Sequence, residues 1–314
     1  MVLLALTACG EPVMPPLTVG MNPWVGYDPL VLARDRGLTD TRRLRVVELP
    51  SGSETLRHLR NGLLDAATLT LDEVLRLADS GVEVRIVALL DASAGGDAVM
   101  VAPRIGSLAQ LKGEFIAVED SAVGSLLLHR MLKKAGLHRA DVKVVNMEVT
   151  EHLGALQTAR VGAAVTYEPL ARAMEQAGYR RAFDSSKIPG EILDVLVVRK
   201  EVLQQRPADV DALLGAWYAG LHVFQLDTPG AAESLARGTD LTPSDYQAVL
   251  GGLHFYSREA SARDLSGNPP ALALQAQNVV GALTEVGLLR QPPRWDELID
   301  GAPMRRFQTS RQVP

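Results

Sequence analysis

The chain of 314 residues is poor in several features, and each shortage excludes a class of protein. A single cysteine rules out disulfide staples within the chain. No apolar run approaches the roughly 20 residues that a membrane-spanning helix needs. The net charge of -5 comes from intermixed acids and bases, which argues against a nucleic-acid partner. What is abundant is apolar sequence, at 47%, so the chain can bury an ordinary core, and its length suits two lobes better than one.

The one cysteine, Cys9, follows the apolar run 2–6 in the segment LTACG, which resembles a bacterial lipobox. In such proteins the signal is cut before the cysteine and its thiol is acylated. We therefore expect residues 1–16 to be a lipoprotein signal and tether, with the lipid on Cys9 and the protein in the periplasm or on the cell surface. No Lys or Arg precedes the apolar run, so the true start is expected upstream of Met1. The alternative is an ordinary buried thiol.

From Leu17 onward, short apolar runs alternate with helical stretches, which is typical of parallel β-α-β units and of the α/β class. We predict strands at 17–21, 44–49, 66–69, 84–90, 115–118, 142–146 and 163–166. Two further apolar segments, 98–102 and 195–198, are predicted to cross between two lobes as a two-stranded hinge. The first lobe is then 17–99 plus 196–314, with C-terminal helices packed on it, and the second lobe is 100–195.

Candidate ligand contacts lie in the loops after the predicted strands, because ligands of open parallel sheets bind beyond the carboxyl ends of strands. The first loop offers Asn22, Trp24 and Tyr27, whose rings suit cations or flat ligands and whose polar atoms can donate hydrogen bonds. Thr70 and Ser121 stand where a strand gives way to a helix, and helix N-termini favour anionic or strongly polar groups. The alternatives are that the rings cover the sheet and that the hydroxyls only cap helices.

Three carboxylates also lie at strand ends. Asp97 adjoins the first crossing, Asp194 precedes the second, and Glu168 follows a strand of the second lobe. A carboxylate that faces a cleft without a partner is costly, so a donor or cation on the ligand is expected to satisfy it. For Asp97, a hydrogen bond that stabilises its own turn is the alternative.

Enzyme readings have little support in the sequence. There is no G-x-S-x-G elbow, no Walker loop and no G-x-G-x-x-G after the first strand. The six histidines show neither i, i+4 pairing nor a nearby cysteine, so we predict no metal site. We expect a protein that binds and does not catalyse.

Five segments in order, NPWVGY at 22–27, RGL at 36–38, GGDA at 95–98, SLAQLKG at 107–113 and YEP at 167–169, together resemble periplasmic binding proteins of the nitrate, sulfonate and taurine type. That group also includes binders of thiamine precursors, and the likeness covers about 17–198. It implies a type II periplasmic binding fold, a small ligand held between two lobes, delivery to an ABC permease in the membrane, and no cofactor. By position it implies pocket residues Asn22, Trp24, Tyr27, Leu69, Thr70, Asp97, Ser121 and Glu168.

The chemistry of these positions favours a particular ligand. None of the loops contains Arg or Lys, and Asp97 and Glu168 favour a cationic, zwitterionic or amino-bearing molecule. A sulfonate-like ligand stays open, since helix N-termini alone can hold an anion. We expect a monomer. Three alternatives stay open as well: a pyrimidine-forming enzyme on the same fold, a ligand-sensing partner of a membrane receptor, and a purely structural lipoprotein.

Overall fold

The computed structural model describes residues 14–309. The predicted signal and Cys9 lie outside the described residues. Within the described range, the chain forms two β-sheets, one of six strands and one of five, each flanked by helices. The predicted α/β class is therefore confirmed. No helix in residues 14–309 is both long enough and apolar enough to cross a membrane.

The strands, in chain order, are β1 (Leu17–Met21), β2 (Leu44–Glu48), β3 (Ala66–Thr70), β4 (Val84–Ser93), β5 (Asp97–Val101), β6 (Phe115–Val118), β7 (Lys143–Asn146), β8 (Ala163–Tyr167), β9 (Arg180–Asp184), β10 (Leu193–Arg199) and β11 (Leu253–Phe255). The helices up to β10 are α1 (Asp28–Asp35), α2 (Gly52–Arg60), α3 (Leu71–Asp79), α4 (Ala122–Ala135), α5 (His152–Gln157) and α6 (Leu170–Gln176). The helices after β10 are α7 (Lys200–Gln205), α8 (Pro207–Leu226), α9 (Thr228–Ala236), α10 (Pro243–Val249), α11 (Arg258–Asp264), α12 (Ala271–Gln275), α13 (Gln277–Glu285), α14 (Trp295–Leu298) and α15 (Ala302–Thr309).

The two sheets repeat one strand order. The first runs β2-β1-β3-β10-β4 with β11 at its edge, and the second runs β7-β6-β8-β5-β9. In each, the first three strands are parallel, and the fourth is antiparallel to both of its neighbours. The fourth strand of each sheet is the first strand after the chain crosses between the lobes. β5 follows β4 of the first sheet and joins the second sheet, and β10 follows β9 of the second sheet and joins the first.

The crossings lie beside the segments predicted for them. The chain leaves the first sheet through 94–96 and returns through 185–192. The predicted hinge segments 98–102 and 195–198 instead fall in β5 and β10, inside the sheets. Both strands are buried on both faces, which explains why an all-apolar run marks them. The proposed domain division at residues 99/100 and 195/196 stays a prediction.

The C-terminal helices contact both lobes. Helix α8 packs on α1 so closely that a Cβ at Gly220 would lie 1.8 Å from the carbonyl oxygen of Pro29. Helix α13 packs on α4, and Asp245 of α10 accepts a hydrogen bond at 2.6 Å from Arg172 of α6. The tail therefore packs on the first lobe and also touches the second.

Candidate functional site

A cavity lies between the lobes at one edge of each sheet. The carboxyl ends of parallel strands β1, β3, β6 and β8 face it, together with the amino ends of antiparallel strands β5 and β10, because antiparallel strands present the opposite end. The cavity volume is about 30 Å³, enough for one or two water molecules in this arrangement of the lobes. The lining residues are Asn22, Trp24, Tyr27, Gly52, Thr70, Glu73, Asp97, Glu119, Val123, Tyr167 and Asp194. Ser121 lines a smaller extension of this cavity, beside Asp97 and Tyr167.

Aromatic rings from both lobes meet across the cavity. Trp24 and Tyr167 pack edge to face with ring centroids 6.0 Å apart. The indole Nε1 of Trp24 donates to Oδ1 of Asp91 at 3.3 Å, and Asn22 Nδ2 donates to the Tyr167 hydroxyl at 3.3 Å. A Cβ at Gly96 would lie 2.4 Å from Cη2 of Trp24, so only glycine leaves room for the ring. Trp24 is thus fixed in place as a cavity wall.

Four carboxylates line the cavity, Glu73, Asp97, Glu119 and Asp194, each less than a tenth exposed. Among the described residues, no Lys or Arg shares this lining. Asp194 accepts a hydrogen bond from the Tyr27 hydroxyl. The site is therefore a cluster of acidic groups in a region of low dielectric, where a bound cation or retained protons can compensate their charge.

Burial shifts the titration of these groups. It raises the pKa of Asp97 to about 7, against a hydrogen bond from Ser93 that lowers it, and Glu168 adds a smaller upward contribution. Burial and the neighbouring Asp91 hold the pKa of Asp194 well above its ordinary value. Burial, Asp72 and Glu119 do the same for the pKa of Glu73. Without a ligand, the cavity therefore retains protons near neutral pH.

Two predicted N-cap residues behave differently. Ser121 caps α4, since its Oγ accepts from the N–H of Gly124 at 3.1 Å. Thr70 precedes α3 but makes no side-chain capping bond to a backbone N–H. Its buried hydroxyl lies beside the carboxyls of Asp72 and Glu73 and lowers the pKa of both.

Two predicted contacts need correction. Glu168 is not an unpaired carboxylate at the cleft, because it forms an ion pair with Arg181 and accepts from the N–H of Arg172 at 2.9 Å. Leu69 is fully buried among core side chains of the first sheet. Neither residue lines the cavity. The structure does bring the other predicted residues to it: Asn22, Trp24, Tyr27, Thr70, Asp97, Ser121 and Asp194.

The sequence reasoning missed Glu73, Glu119 and Tyr167 as lining residues. Glu119 follows β6 directly and Tyr167 ends β8, so their positions after strands could have identified both. Glu73 lies in the first turn of α3, where an acidic residue is ordinarily explained by the helix dipole. Only the tertiary structure shows that Glu73 faces the opposite lobe.

Comparison with known proteins identifies the family. A model of the NMT1-like family matches residues 10–237. The chain belongs to the NMT1-like family. This NMT1-like chain is 24% identical over 228 residues to the taurine-binding periplasmic protein of Escherichia coli (strain K12). The match covers 69% of this chain and 70% of that protein.

Solved structures show the fold of this NMT1-like protein. The alkanesulfonate-binding protein SsuA from Xanthomonas axonopodis pv. citri, bound to MOPS, superposes with a TM-score of 0.77 at 18% identity, covering 93% of this chain and 99% of that one. The desulfurization enzyme DSZB superposes with a TM-score of 0.65 at 17% identity, covering 93% of this chain and 99% of that chain. The fold thus occurs in both a binding protein and an enzyme.

These matches test the sequence interpretation of the NMT1-like chain. The predicted resemblance, the periplasmic binding fold and a substrate-binding role are confirmed, and the relatives support a periplasmic location. The ligand, the permease, the lipid on Cys9 and the monomeric state stay predictions.

Proposed function

We propose that this protein captures a small amine-bearing cation or zwitterion between its two lobes and delivers it to an ABC permease, without catalysing a reaction. The observation that carries the proposal is the lining of the cavity, in which Glu73, Asp97, Glu119 and Asp194 face no lysine or arginine among the described residues. An ammonium or guanidinium group would satisfy these carboxylates, and the rings of Trp24 and Tyr167 add faces that attract a cation.

Closure around the ligand supplies the signal to a permease. The lobes already touch through Asn22 and Tyr167, through Trp24 and Tyr167, and through Ser93 and Ser185, whose Oγ atoms lie 2.7 Å apart at the crossings. A cation that contacts carboxylates of both lobes stabilises this closed arrangement by the extra affinity that it has there. The permease then recognises the closed form.

The relatives are named as binders of taurine and of aliphatic sulfonates, whereas we propose an amine-bearing ligand. A taurine-binding relative handles a molecule that bears an ammonium and a sulfonate, and this chain has acids suited to the ammonium. A sulfonate has no basic side chain to meet in the described lining. We therefore place amines and guanidines ahead of sulfonates, and zwitterions between them.

Anchoring completes the proposal. Acylation of Cys9 would hold the receptor, as a monomer, near its permease at the outer face of the membrane. Metabolic labelling with a radioactive fatty acid tests this step. Label should enter the full-length wild-type protein and be lost in Cys9→Ser, and equal labelling of both would contradict the anchor.

A thermal-shift screen tests the ligand class. The probes are methylamine, putrescine, agmatine, choline, taurine, methanesulfonate, nitrate and cytosine. A ligand present at a hundredfold excess over Kd stabilises the folded state by about 2.7 kcal/mol, so a true ligand should raise the Tm clearly. We expect a cationic or zwitterionic probe to do so and the pure anions to have no effect.

Variants make the screen specific. Glu73→Gln removes one ionisable group from the cavity, whereas Glu233→Gln removes an exposed acid of α9 that is not part of the lining. The shift with the best amine should shrink in the first variant and persist in the second. Stabilisation by methanesulfonate or nitrate alone would contradict the amine assignment.

A further inference from the structure

The N-terminus of α2, on the first lobe, is occupied by an acidic side chain from the second lobe. Oε1 of Glu119, at the end of β6, accepts a hydrogen bond from the backbone N–H of Ser53 at 2.6 Å. Ser53 is the second residue of α2, and the contact is buried. Glu119 itself is 6% exposed. A carboxylate of one lobe is therefore held by a helix start of the other.

The neighbouring groups at the start of α2 are already paired or in contact with carboxyl oxygens. Both hydroxyls of the turn are engaged, since Ser51 Oγ accepts from the N–H of Glu54 and the Ser53 hydroxyl donates to Glu148. A Cβ at Gly52 would meet Oε1 of Glu73 at 3.4 Å and Oε1 of Glu119 at 3.8 Å, both ordinary van der Waals distances. Two carboxyl oxygens therefore lie directly over the start of α2.

A helix start with free N–H groups is an ordinary anion site, because its backbone donors and dipole both favour negative charge. In this protein the anion is part of the chain. A sulfonate or carboxylate on a ligand would have to displace Glu119, which would then lie buried without its donor. The displaced charge would also face Glu73, Asp97 and Asp194.

We propose that Glu119 is the specificity-determining residue of the cleft, because its carboxylate fills the N-terminus of α2 in the closed form and excludes anionic ligand groups from it. This inference rests on the proposed receptor function and explains its preference for cations. Glu119 acts twice, as an internal anion on α2 and as one of the negative charges that face the ligand.

The variants separate the space that Glu119 occupies from its charge. Glu119→Ala empties the helix start and frees the Ser53 N–H, whereas Glu119→Gln fills the same space without charge. Glu148→Gln is the matched control, because Glu148 accepts from the Ser53 hydroxyl at 3.2 Å and pairs with Arg57 at 3.6 Å rather than with the Ser53 N–H, and its side chain is 39% exposed. Glu119→Ser is a second small variant, in case Glu119→Ala folds poorly.

The measurement is calorimetric titration with methanesulfonate and with the best amine of the screen. We expect methanesulfonate affinity to rise at least about tenfold in Glu119→Ala or Glu119→Ser, an increase consistent with one charge-assisted hydrogen bond to the freed N–H. Glu119→Gln and Glu148→Gln should bind methanesulfonate as weakly as the wild type. Equal methanesulfonate affinity in the wild type and both small variants would overturn the inference.

A second readout does not depend on any ligand. The Ser53 amide should exchange its hydrogen slowly in the wild type and faster in Glu119→Ala, while the amide of Glu54, bonded to Ser51, should change less. Unchanged exchange at Ser53 would likewise overturn the inference. If the wild type binds an amine and no variant gains methanesulfonate, the inference fails and the receptor function stands. If variants gain methanesulfonate but no amine binds the wild type, the amine assignment fails and the role of Glu119 stands.

Discussion

Asp97 begins β5 and Glu168 directly follows the neighbouring strand β8, yet the two acids have different partners. Asp97 lines the cavity, and Glu168 lies behind it against Arg181. Arg181 also donates to the carbonyl oxygen of Gly95 at 2.5 Å and to Glu175 at 2.9 Å. Glu168 thus helps to fix the crossing that leads into β5, whereas Asp97 faces the cavity.

Replacing Asp97 by asparagine should weaken binding and spare folding. Asp97→Asn removes a charge from the cavity and keeps its shape, so amine affinity should fall about tenfold to a hundredfold, the loss of one hydrogen bond to a charged group. Isothermal titration calorimetry measures the affinity, with Glu233→Gln as the control. An unchanged Kd in Asp97→Asn would count against a direct contact.

Replacing Glu168 by glutamine should have the opposite pattern. Arg181 loses its buried partner, and we expect the free energy of unfolding to fall by about 1 to 3 kcal/mol. Amine affinity should change less than in Asp97→Asn. Urea denaturation measures the first quantity and calorimetry the second, and a large affinity loss with unchanged stability would restore Glu168 as a ligand contact.

Gly96 tests the fixed position of Trp24. In Gly96→Ala, the new methyl group would collide with the indole ring, and such overpacking costs about 1 to 3 kcal/mol. Amine affinity should fall together with the Tm, because the ring is a cavity wall. Gly154→Ala is the control, since no atom lies within 4 Å of the added methyl group and the residue lies in helix α5. Equal behaviour of the two variants would contradict the close contact.

At the scale of elements, apolar runs predicted most strands closely. β1 and β6 have the predicted bounds, and β2, β3, β7 and β8 differ by one residue at one end. The prediction missed α6, β9 and the short β11. The edge strand β9 begins Arg-Arg and carries no apolar run. The sequence also could not show that β5 and β10 lie inside sheets, since an apolar run fits a buried central strand and a buried crossing equally well.

The candidate site divides in the same way. The loop after β1 and the amino ends of β5 and β10 were predictable from strand ends. Glu168 was not, because its partner Arg181 belongs to β9, the strand that the pattern concealed. Whether Glu168 faces the cavity or forms an ion pair depends on Arg181, which lies 13 positions further along the chain. No local sequence pattern shows that pairing.

Helix α4 offers a test of Ser121, which lines the cavity extension and caps the helix. Ser121→Ala should lower the free energy of unfolding by about 0.5 to 2 kcal/mol, the usual cost of a lost N-cap. Because its Oγ is engaged by Gly124, we expect amine affinity to change little. Urea denaturation and calorimetry separate the two effects, and Ser125→Ala, one turn on, is the matched control. A binding loss larger than the stability loss would assign Ser121 to the ligand.

At the scale of the whole molecule, the closed cleft gathers acids from both lobes. Burial raises the pKa of Asp72, Asp91 and Asp97 to about 7, while an unfolded chain releases such protons near pH 4. The folded empty protein therefore holds more protons than the unfolded chain between these values. Its stability falls as pH rises through that window. His152 acts in the opposite direction below about pH 6.5, because burial lowers its pKa to about 4.

Ligand binding should show the reverse dependence on pH. A cation favours the ionised carboxylates, so its affinity should rise from pH 6 to 8 while an aliphatic amine stays protonated throughout. Over the same range the Tm of the empty protein should fall, and both slopes should be smaller in Asp97→Asn than in Glu233→Gln. Thermal melts and calorimetry at pH 6, 7 and 8 measure the two slopes. An affinity that falls as pH rises would mean that protons are taken up when the ligand binds. The carboxyl groups of the cleft would then be protonated in the complex, and they could not be holding a cation.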